Sequence, residues 1–299
     1  MQLFCSYFFL FTFLPFCLGF RVHSQNPRLQ YNKRDITGNY VIDQQENSPF
    51  GCSESQIIAL ERAITEARYL AGKASAVLGK PGSEFSQAYR LWFGMYMLKS
   101  NKEDNSKPAT RDAIRKNNFD AVRQMKWPGP TNRVPQWYND NLSPTGLTFT
   151  CAAENDESCS SGTIAMVYED GHQHQGHKWA GNVILLCRGF FLKKSHKTMI
   201  KTWRKSKDEA SLSAGFALLH EVQHISAIVG KERRCIDAKN LAPAPNDVSK
   251  LCYHYHWSNS CANIPDAMKI SNAQNMAFFA LEVTANPTTG EPSKEQRQP

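Results

Sequence analysis

Beyond its first segment, the sequence lacks any long apolar run, and nothing after Leu3–Phe20 is apolar enough to span a bilayer. It also lacks an internal repeat, which excludes the solenoid and propeller classes. Basic residues are in excess, with a formal net charge of +8 and a pI near 9.0, but they are scattered. The one dense patch, Lys193–Lys207, has only Trp203 interleaved, so we expect no nucleic-acid partner.

The apolar run itself predicts a secretory signal peptide over residues 1–24. It is short, is interrupted by Pro15 and is followed by small and polar residues, although the usual basic start is absent. We therefore expect a secreted, extracellular protein without a membrane span, and a monomer. Residues 25–50 are polar and carry the dibasic pair Lys33–Arg34, which indicates either a short pro-segment or a plain loop.

The cysteine count agrees with export. Cys5 and Cys17 lie in the predicted signal peptide, so seven of the nine cysteines remain in the mature chain. Secreted proteins occupy an oxidising compartment in which thiols pair. Because seven is odd, at least one thiol is unpaired or pairs between chains.

Hydrophobic spacing predicts helices first and strands later. Helices are expected over residues 53–78, 85–97, 111–125 and 266–283. Short strands are expected over residues 147–150, 163–168 and 183–186. The histidines of the intervening loop, His172, His174 and His177, stand among glycines and glutamines, which favours an exposed hairpin over a second metal site. The sequence therefore predicts an α+β domain over residues 51–284 and a disordered tail over residues 285–299.

The most informative stretch is Ser211–Gly230, where an HExxH motif occupies residues 220–224. The surrounding apolar residues recur at helical spacing, and Gly230 is suited to end a helix. Residues four apart lie on one helical face, so His220 and His224 would direct two imidazoles at one point. Two histidines in an apolar helix need partners, and a metal ion is the most economical one.

The chemistry of such a site follows from its charge. Zn²⁺ with three protein ligands keeps one position open for water and lowers the pKa of that water to about 7. Glu221 is the expected general base, because it flanks the histidines and can pass the proton to the leaving amine. The motif leaves the third ligand unassigned.

Four segments in order resemble the deuterolysin-type metallopeptidases, the aspzincins, and in particular their lysine-specific metalloendopeptidase branch. The segments are the helix that Cys52 begins together with the YRLWFG of residues 89–94, the cysteines Cys151 and Cys159 before ILLCRGFF at 184–191, the HEVQH helix, and NAQNMAFFA at 272–280. The resemblance covers about residues 52–283. It implies a zincin-like fold, a secreted zinc endopeptidase acting on proteins or peptides, a zinc ion held by two histidines and one aspartate, and a nearby tyrosine that stabilises the oxyanion.

Carried onto this chain, the histidines are His220 and His224 and the base is Glu221. The family's lead into its aspartate is not intact, and we choose Asp237 from Cys235-Ile236-Asp237, with Ile236 as an apolar anchor. Open alternatives are Asp247, His254 and His256. For the catalytic tyrosine we choose Tyr255, with Tyr253 as the alternative.

Two further implications concern specificity and disulfides. Where the lysine-specific branch has acidic residues, this chain has Gln274 and Ala277, which argues against lysine preference. The resemblance implies disulfides Cys52–Cys151 and Cys159–Cys187, and it leaves Cys235, Cys252 and Cys261 with one thiol over. The disturbed tyrosine region and the odd cysteine motivate an alternative function, a secreted effector or binding protein on a decayed peptidase scaffold.

Overall fold

The computed structural model describes residues 40–43, 50–95, 105–125, 133–134, 147–159, 162–168, 173–174, 177–178, 182–239, 251–253, 255 and 261–292. All of them belong to one compact unit, Tyr31–Pro299. The predicted signal peptide and dibasic pair lie outside these residues, and so do Asp247, His254 and His256. None of the described helices is both long and apolar enough to cross a membrane.

The first helix, α1 (Glu54–Leu78), confirms the prediction for residues 53–78. It begins with a capping box, in which the Ser53 hydroxyl accepts from the Gln56 N–H at 3.3 Å and Gln56 Oε1 accepts from the Ser53 N–H at 2.8 Å. Its apolar residues form one buried stripe that includes Ile57, Leu60 and Ile64. Helix α1 therefore supplies one wall of the core.

The second helix is shorter than predicted, and the third is divided into three parts. Helix α2 (Gln87–Phe93) stops at Gly94, whose φ of 73° favours glycine and whose added Cβ would lie 2.2 Å from the Asp266 carboxyl carbon. The third predicted helix is present as α3 (Pro108–Ala113), a π-helical turn (Ile114–Asp120) and α4 (Ala121–Arg123).

A five-stranded sheet lies in the middle of the chain. Its strands are β1 (Tyr40–Asp43), β2 (Arg133–Val134), β3 (Leu147–Cys151), β4 (Ala165–Tyr168) and β7 (Asn182–Leu186), in the order β2-β1-β3-β7-β4. All neighbours are parallel except β4, which is antiparallel to β7 and forms an edge. The loop between β4 and β7 contains the predicted hairpin, β5 (Gln173–His174) with β6 (His177–Lys178).

Helices return after the sheet. They are α5 (Arg188–Phe191), α6 (His196–Ser206), α7 (Ala214–Glu221), α8 (Ser226–Val229), α9 (Asp266–Lys269) and α10 (Ala273–Ala285). Every residue of α10 except Thr284 is buried, because the helix packs against α1, α2, α6 and α7. On one side of α10, Phe278 stacks between Trp92 and Trp203, with ring centroids 4.9 and 5.2 Å away. The observed architecture confirms the predicted α+β class.

Two disulfides join these layers. Cys52 pairs with Cys151, which links the start of α1 to β3, and Cys159 pairs with Cys187 at the end of β7. Both pairings confirm what the resemblance implied. The side chains of Cys235, Cys252 and Cys261 are buried, and the Cys261 thiol donates to the Cys252 carbonyl.

The prediction of disorder from residue 285 is wrong for residues 285–292. After α10 the chain turns through a 3-10 helix, Pro287–Gly290, in which Gly290 is buried. Glu291 then forms an exposed ion pair with Lys80 at 2.5 Å. The composition of this segment is polar, but hydrogen bonds and the contact of Gly290 with the core hold it in place.

Candidate metal centre

The motif helix begins as predicted and ends earlier. Ser213 caps α7 by accepting from the Phe216 N–H at 3.3 Å, and Phe216 and Leu219 face the core. The α-helix stops at Glu221, a 3-10 turn covers Val222–His224, and Ile225 is extended with φ −98° and ψ 107°. A continuous helix to residue 230 was therefore a wrong prediction.

The cause of the break lies in a later segment. The carbonyl of Gln223 accepts from the Cys235 N–H at 2.9 Å, and the carbonyl of His224 accepts from Arg234 Nε at 2.9 Å. Within a continuous helix these carbonyls would accept from residues 227 and 228. The returning chain has replaced those bonds, and Gly230, with φ 81°, ends the short α8 that follows.

His220 and His224 do converge on one point. Their Nε2 atoms lie 3.3 Å apart, and their ring centroids are 5.0 Å apart. His220 is buried at 7% exposure, and His224 is half-buried. The four-residue spacing therefore directs both imidazoles at one point, as the sequence predicted.

Asp237 joins the two histidines. Its Oδ1 lies 3.3 Å from His220 Nε2 and 3.4 Å from His224 Nε2. The three residues form the one group of metal-ligand type found in the described part of the chain. The third position chosen from the sequence thus lies with the histidines, and Asp247 falls outside the described residues.

The backbone on either side of Asp237 sets its position. The Ile236 N–H donates to the Ser271 carbonyl at 2.8 Å, and the Ile236 carbonyl accepts from the Ala273 N–H at 3.0 Å. The Ala238 N–H donates to Asn272 Oδ1 at 3.1 Å. The expected apolar anchor is wrong, because the Ile236 side chain is 52% exposed. Main-chain bonds to the start of α10 hold the loop instead.

The three ligand atoms fit a zinc ion. Zinc bonds to histidine nitrogen and carboxylate oxygen are about 2.0–2.2 Å long, so a tetrahedral site separates its ligand atoms by about 3.3–3.5 Å. The observed separations are 3.3, 3.3 and 3.4 Å. Apart from the imidazoles, the buried Asp237 Oδ1 has no hydrogen-bond partner among the described residues. The donor set and its spacing are therefore those of a three-ligand zinc site.

The electrostatics of the cluster are strongly coupled. Burial opposes ionisation of Asp237, but hydrogen bonds and attraction from both histidines outweigh it and lower the Asp237 pKa. Burial lowers the pKa of His224, yet its bond to Asp237 raises the pKa overall. Burial also raises the pKa of Glu221, with the two histidines acting in the opposite direction. Glu221 thus has the environment of a proton acceptor with elevated basicity.

The two tyrosine candidates have different surroundings. Burial and the negative charge of nearby Asp237 raise the pKa of Tyr253, whose ring centroid lies 5.8 Å from that of His220. Tyr255 packs its ring against Trp92 and Trp203 at 5.6 and 5.5 Å. Tyr253, the alternative in the sequence analysis, therefore lies at the cluster, whereas Tyr255 lies against the aromatic core.

A cleft of about 1130 Å³ opens beside the cluster. His220, Glu221 and Tyr253 contribute to its wall, and so do residues 162–165 at the start of β4. Gln274 lines it from α10, with Nε2 donating to the Tyr253 carbonyl at 2.9 Å. Sequence reasoning did not find the β4 contribution, because no local signal connects an edge strand with a helix far along the chain.

Comparisons with known proteins add little to this geometry. No family model matches the chain, and no curated protein matches it. Among solved structures the chain is similar to a zinc peptidase from Grifola frondosa, with 18% sequence identity and a TM-score of 0.42, over 78% of this chain and 98% of that chain. A match at this level assigns no residue of the site. The site residues are identified from the interatomic distances given above.

Proposed function

We propose that the chain is a secreted, zinc-dependent endopeptidase of the deuterolysin type, with His220, His224 and Asp237 as its zinc ligands. The observation that carries the proposal is the mutual spacing of the three ligand atoms at 3.3–3.4 Å. Two disulfides support passage through an oxidising compartment.

Zinc, when bound, lowers the pKa of a coordinated water to about 7 and polarises a carbonyl group. Glu221 follows His220 directly and lines the same cleft, so its carboxylate accepts the proton of the attacking water. The raised pKa of Glu221 makes the carboxylate a better proton acceptor, and the protonated carboxyl can then pass that proton to the leaving amine.

Tyr253 takes the role of oxyanion stabiliser in this proposal, in place of Tyr255. Its ring lies beside that of His220, and its phenol hydroxyl can donate to an oxygen that gains negative charge beside the cluster. Strand β4 supplies the peptide-binding edge, because its outer side has no neighbouring strand in the described sheet. An extended substrate can pair with such an edge through main-chain hydrogen bonds.

The test is cleavage of a denatured protein substrate by the purified chain, with and without a chelator, followed by re-addition of zinc. We expect chelation and Glu221→Gln each to abolish cleavage, and zinc to restore it in the wild type alone. Glu232→Gln, at an exposed position on the turn after α8, is the matched control and should keep activity. Cleavage that survives both chelation and Glu221→Gln would refute the proposal. A folded, zinc-free and inactive chain would instead favour the decayed-scaffold alternative.

A further inference from the structure

Lys193 occupies a special position in the cleft. It follows α5, and its main chain is held by a bond from its N–H to the Phe190 carbonyl. The side chain is half-buried and lines the same cleft as His220 and Glu221. Lys193 belongs to the basic patch of the sequence, and in the structure it lines the cleft beside the candidate metal centre.

Two of the three acidic residues of the cleft, Asp208 and Glu209, accept hydrogen bonds within the protein, and the third is Glu221 of the candidate metal centre. Asp208 Oδ1 accepts from the Ala210 N–H at 2.9 Å and Oδ2 accepts from the Ser211 hydroxyl at 3.2 Å. Glu209 Oε1 accepts from the Tyr255 N–H. These carboxylates cap a turn and fix the loop that carries Tyr253 and Tyr255.

Lys193 differs from them, because its ammonium forms no ion pair or hydrogen bond within the described part of the chain. Burial lowers its pKa, and no carboxylate is near enough to oppose that effect. A partly desolvated cation without an anion is costly, and the cost falls when an anion binds. The Lys193 ammonium is therefore the group of the cleft that an incoming anion would stabilise.

The remaining lining strengthens such an interaction. Ile164, Leu212 and Leu251 give the cleft apolar walls, and attraction between charges increases where water is excluded. On the α10 side the cleft presents the neutral Gln274, and Ala277 is fully buried. No free carboxylate faces the cleft from these positions, so nothing there pairs with a substrate lysine.

We propose that Lys193 binds a carboxylate of the substrate, so that the cleft selects acidic peptides. The inference rests on the proposed peptidase function and specifies its substrate class. A carboxylate can come from an aspartate or glutamate side chain near the scissile bond or from a peptide C-terminus. Both sources present the same planar acceptor to the ammonium.

Binding is measured in the Glu221→Gln background, which retains the ligands but does not turn over substrate. Fluorescent peptides of one core sequence carry glutamate, glutamine or lysine at the varied position, each with a free or amidated C-terminus. We expect the glutamate peptide to bind about tenfold or more tightly than the glutamine peptide, because a charge-assisted hydrogen bond contributes enough free energy for a difference of this size. If peptide affinity depends on whether the C-terminus is amidated and not on the varied side chain, the C-terminal carboxylate is the group that Lys193 binds.

Adding Lys193→Met should reduce the preference to about one, and Lys193→Glu should shift it toward the lysine peptide. Lys194→Met, at the exposed neighbouring position, is the matched control and should leave the preference unchanged. Circular dichroism and zinc content confirm that each variant folds. The proposal is overturned if glutamate and glutamine peptides bind equally, or if the preference persists in folded Lys193→Met. Because binding is measured without turnover, failure of the peptidase proposal appears separately, as absent cleavage by the wild type.

Discussion

His224 Nδ1 lies 3.0 Å from the carbonyl oxygen of Cys235. A carbonyl only accepts hydrogen bonds, so Nδ1 carries the proton and the neutral ring leaves Nε2 bare. That bare nitrogen faces His220 and Asp237. The segment that brings Asp237 to the cluster therefore also sets the tautomer that His224 needs as a metal ligand.

The identity of the third ligand can be tested directly. Asp237→Ala removes one of the three converging donors. Loss of a residue that only hydrogen-bonds to a metal ligand lowers metal affinity by roughly 10- to 100-fold, so we expect a larger fall in zinc affinity here. Zinc per chain, measured after dialysis against a weak chelator, should be near zero for Asp237→Ala and near that of the wild type for Asp247→Ala. The reverse pattern would make Asp247 the ligand.

Tyr253 and Tyr255 can be separated by removing one hydroxyl at a time. Tyr253→Phe should lower kcat by about 100-fold with little change in KM, because the hydroxyl acts on charge that develops in the transition state. Tyr255→Phe keeps the ring that packs on Trp92 and Trp203 and should retain kcat. Equal kcat values for the two variants would exclude a special role for Tyr253.

Two glutamates near the C-terminal end of the described chain allow a test of burial. Glu282 is buried, pairs with Lys207 and accepts from Trp203 Nε1 at 2.8 Å. Glu282→Ala should cost about 3–5 kcal/mol in the free energy of unfolding, because Lys207 and the buried Trp203 Nε1 both lose this carboxylate. Glu291→Ala breaks an exposed pair with Lys80 and should cost at most about 1 kcal/mol. Urea denaturation of both variants gives the two values, and similar values would contradict the argument.

The two disulfides should differ in their contribution to stability. Cys52 and Cys151 are 99 residues apart, whereas Cys159 and Cys187 are 28 apart. The chain-entropy relation gives about 4.7 kcal/mol for the longer loop and about 3.6 kcal/mol for the shorter one. Paired Cys→Ala variants should therefore rank in that order by denaturant midpoint, and the opposite order would show that local packing dominates.

His196 should contribute to acid sensitivity. Burial lowers its pKa, and neither ring nitrogen has a hydrogen-bond partner among the described residues. As the pH falls through the unfolded value of about 6.5, the unfolded chain binds a proton that the folded chain does not, so stability falls. His196→Phe keeps the edge contact with Tyr69 and should lose less stability than the wild type between about pH 8 and about pH 5. If the wild type and His196→Phe lose the same free energy of unfolding between these pH values, His196 does not contribute to acid sensitivity.

Features that depend on neighbouring residues were predictable from the sequence. The stripe of α1, the strands β3 and β4, and the convergence of His220 and His224 follow from a period of 3.6 or 2 residues, and β7 follows from a short apolar run. Asp237 was chosen from the resemblance of Cys235-Ile236-Asp237 to the family pattern, and it lies beside both histidines.

Features set by distant segments were not predictable. The break at Ile225 depends on carbonyl partners supplied by Arg234 and Cys235. The placement of Tyr253 and Tyr255 depends on Asp237 on one side and on the Trp92 and Trp203 rings on the other. Their spacing of two residues carries no information about which of them reaches the cluster.

The hydrogen bonds between the Asp237 loop and Ser271–Ala273 determine when the site can form during synthesis. A nascent chain that has emerged only as far as Asp237 contains both histidines and the aspartate, yet it lacks the partners of Ile236 and Ala238. Domains begin to fold as the ribosome extends them. The three candidate metal ligands are therefore brought together only after α10 has been made and docked, when the fold is nearly finished.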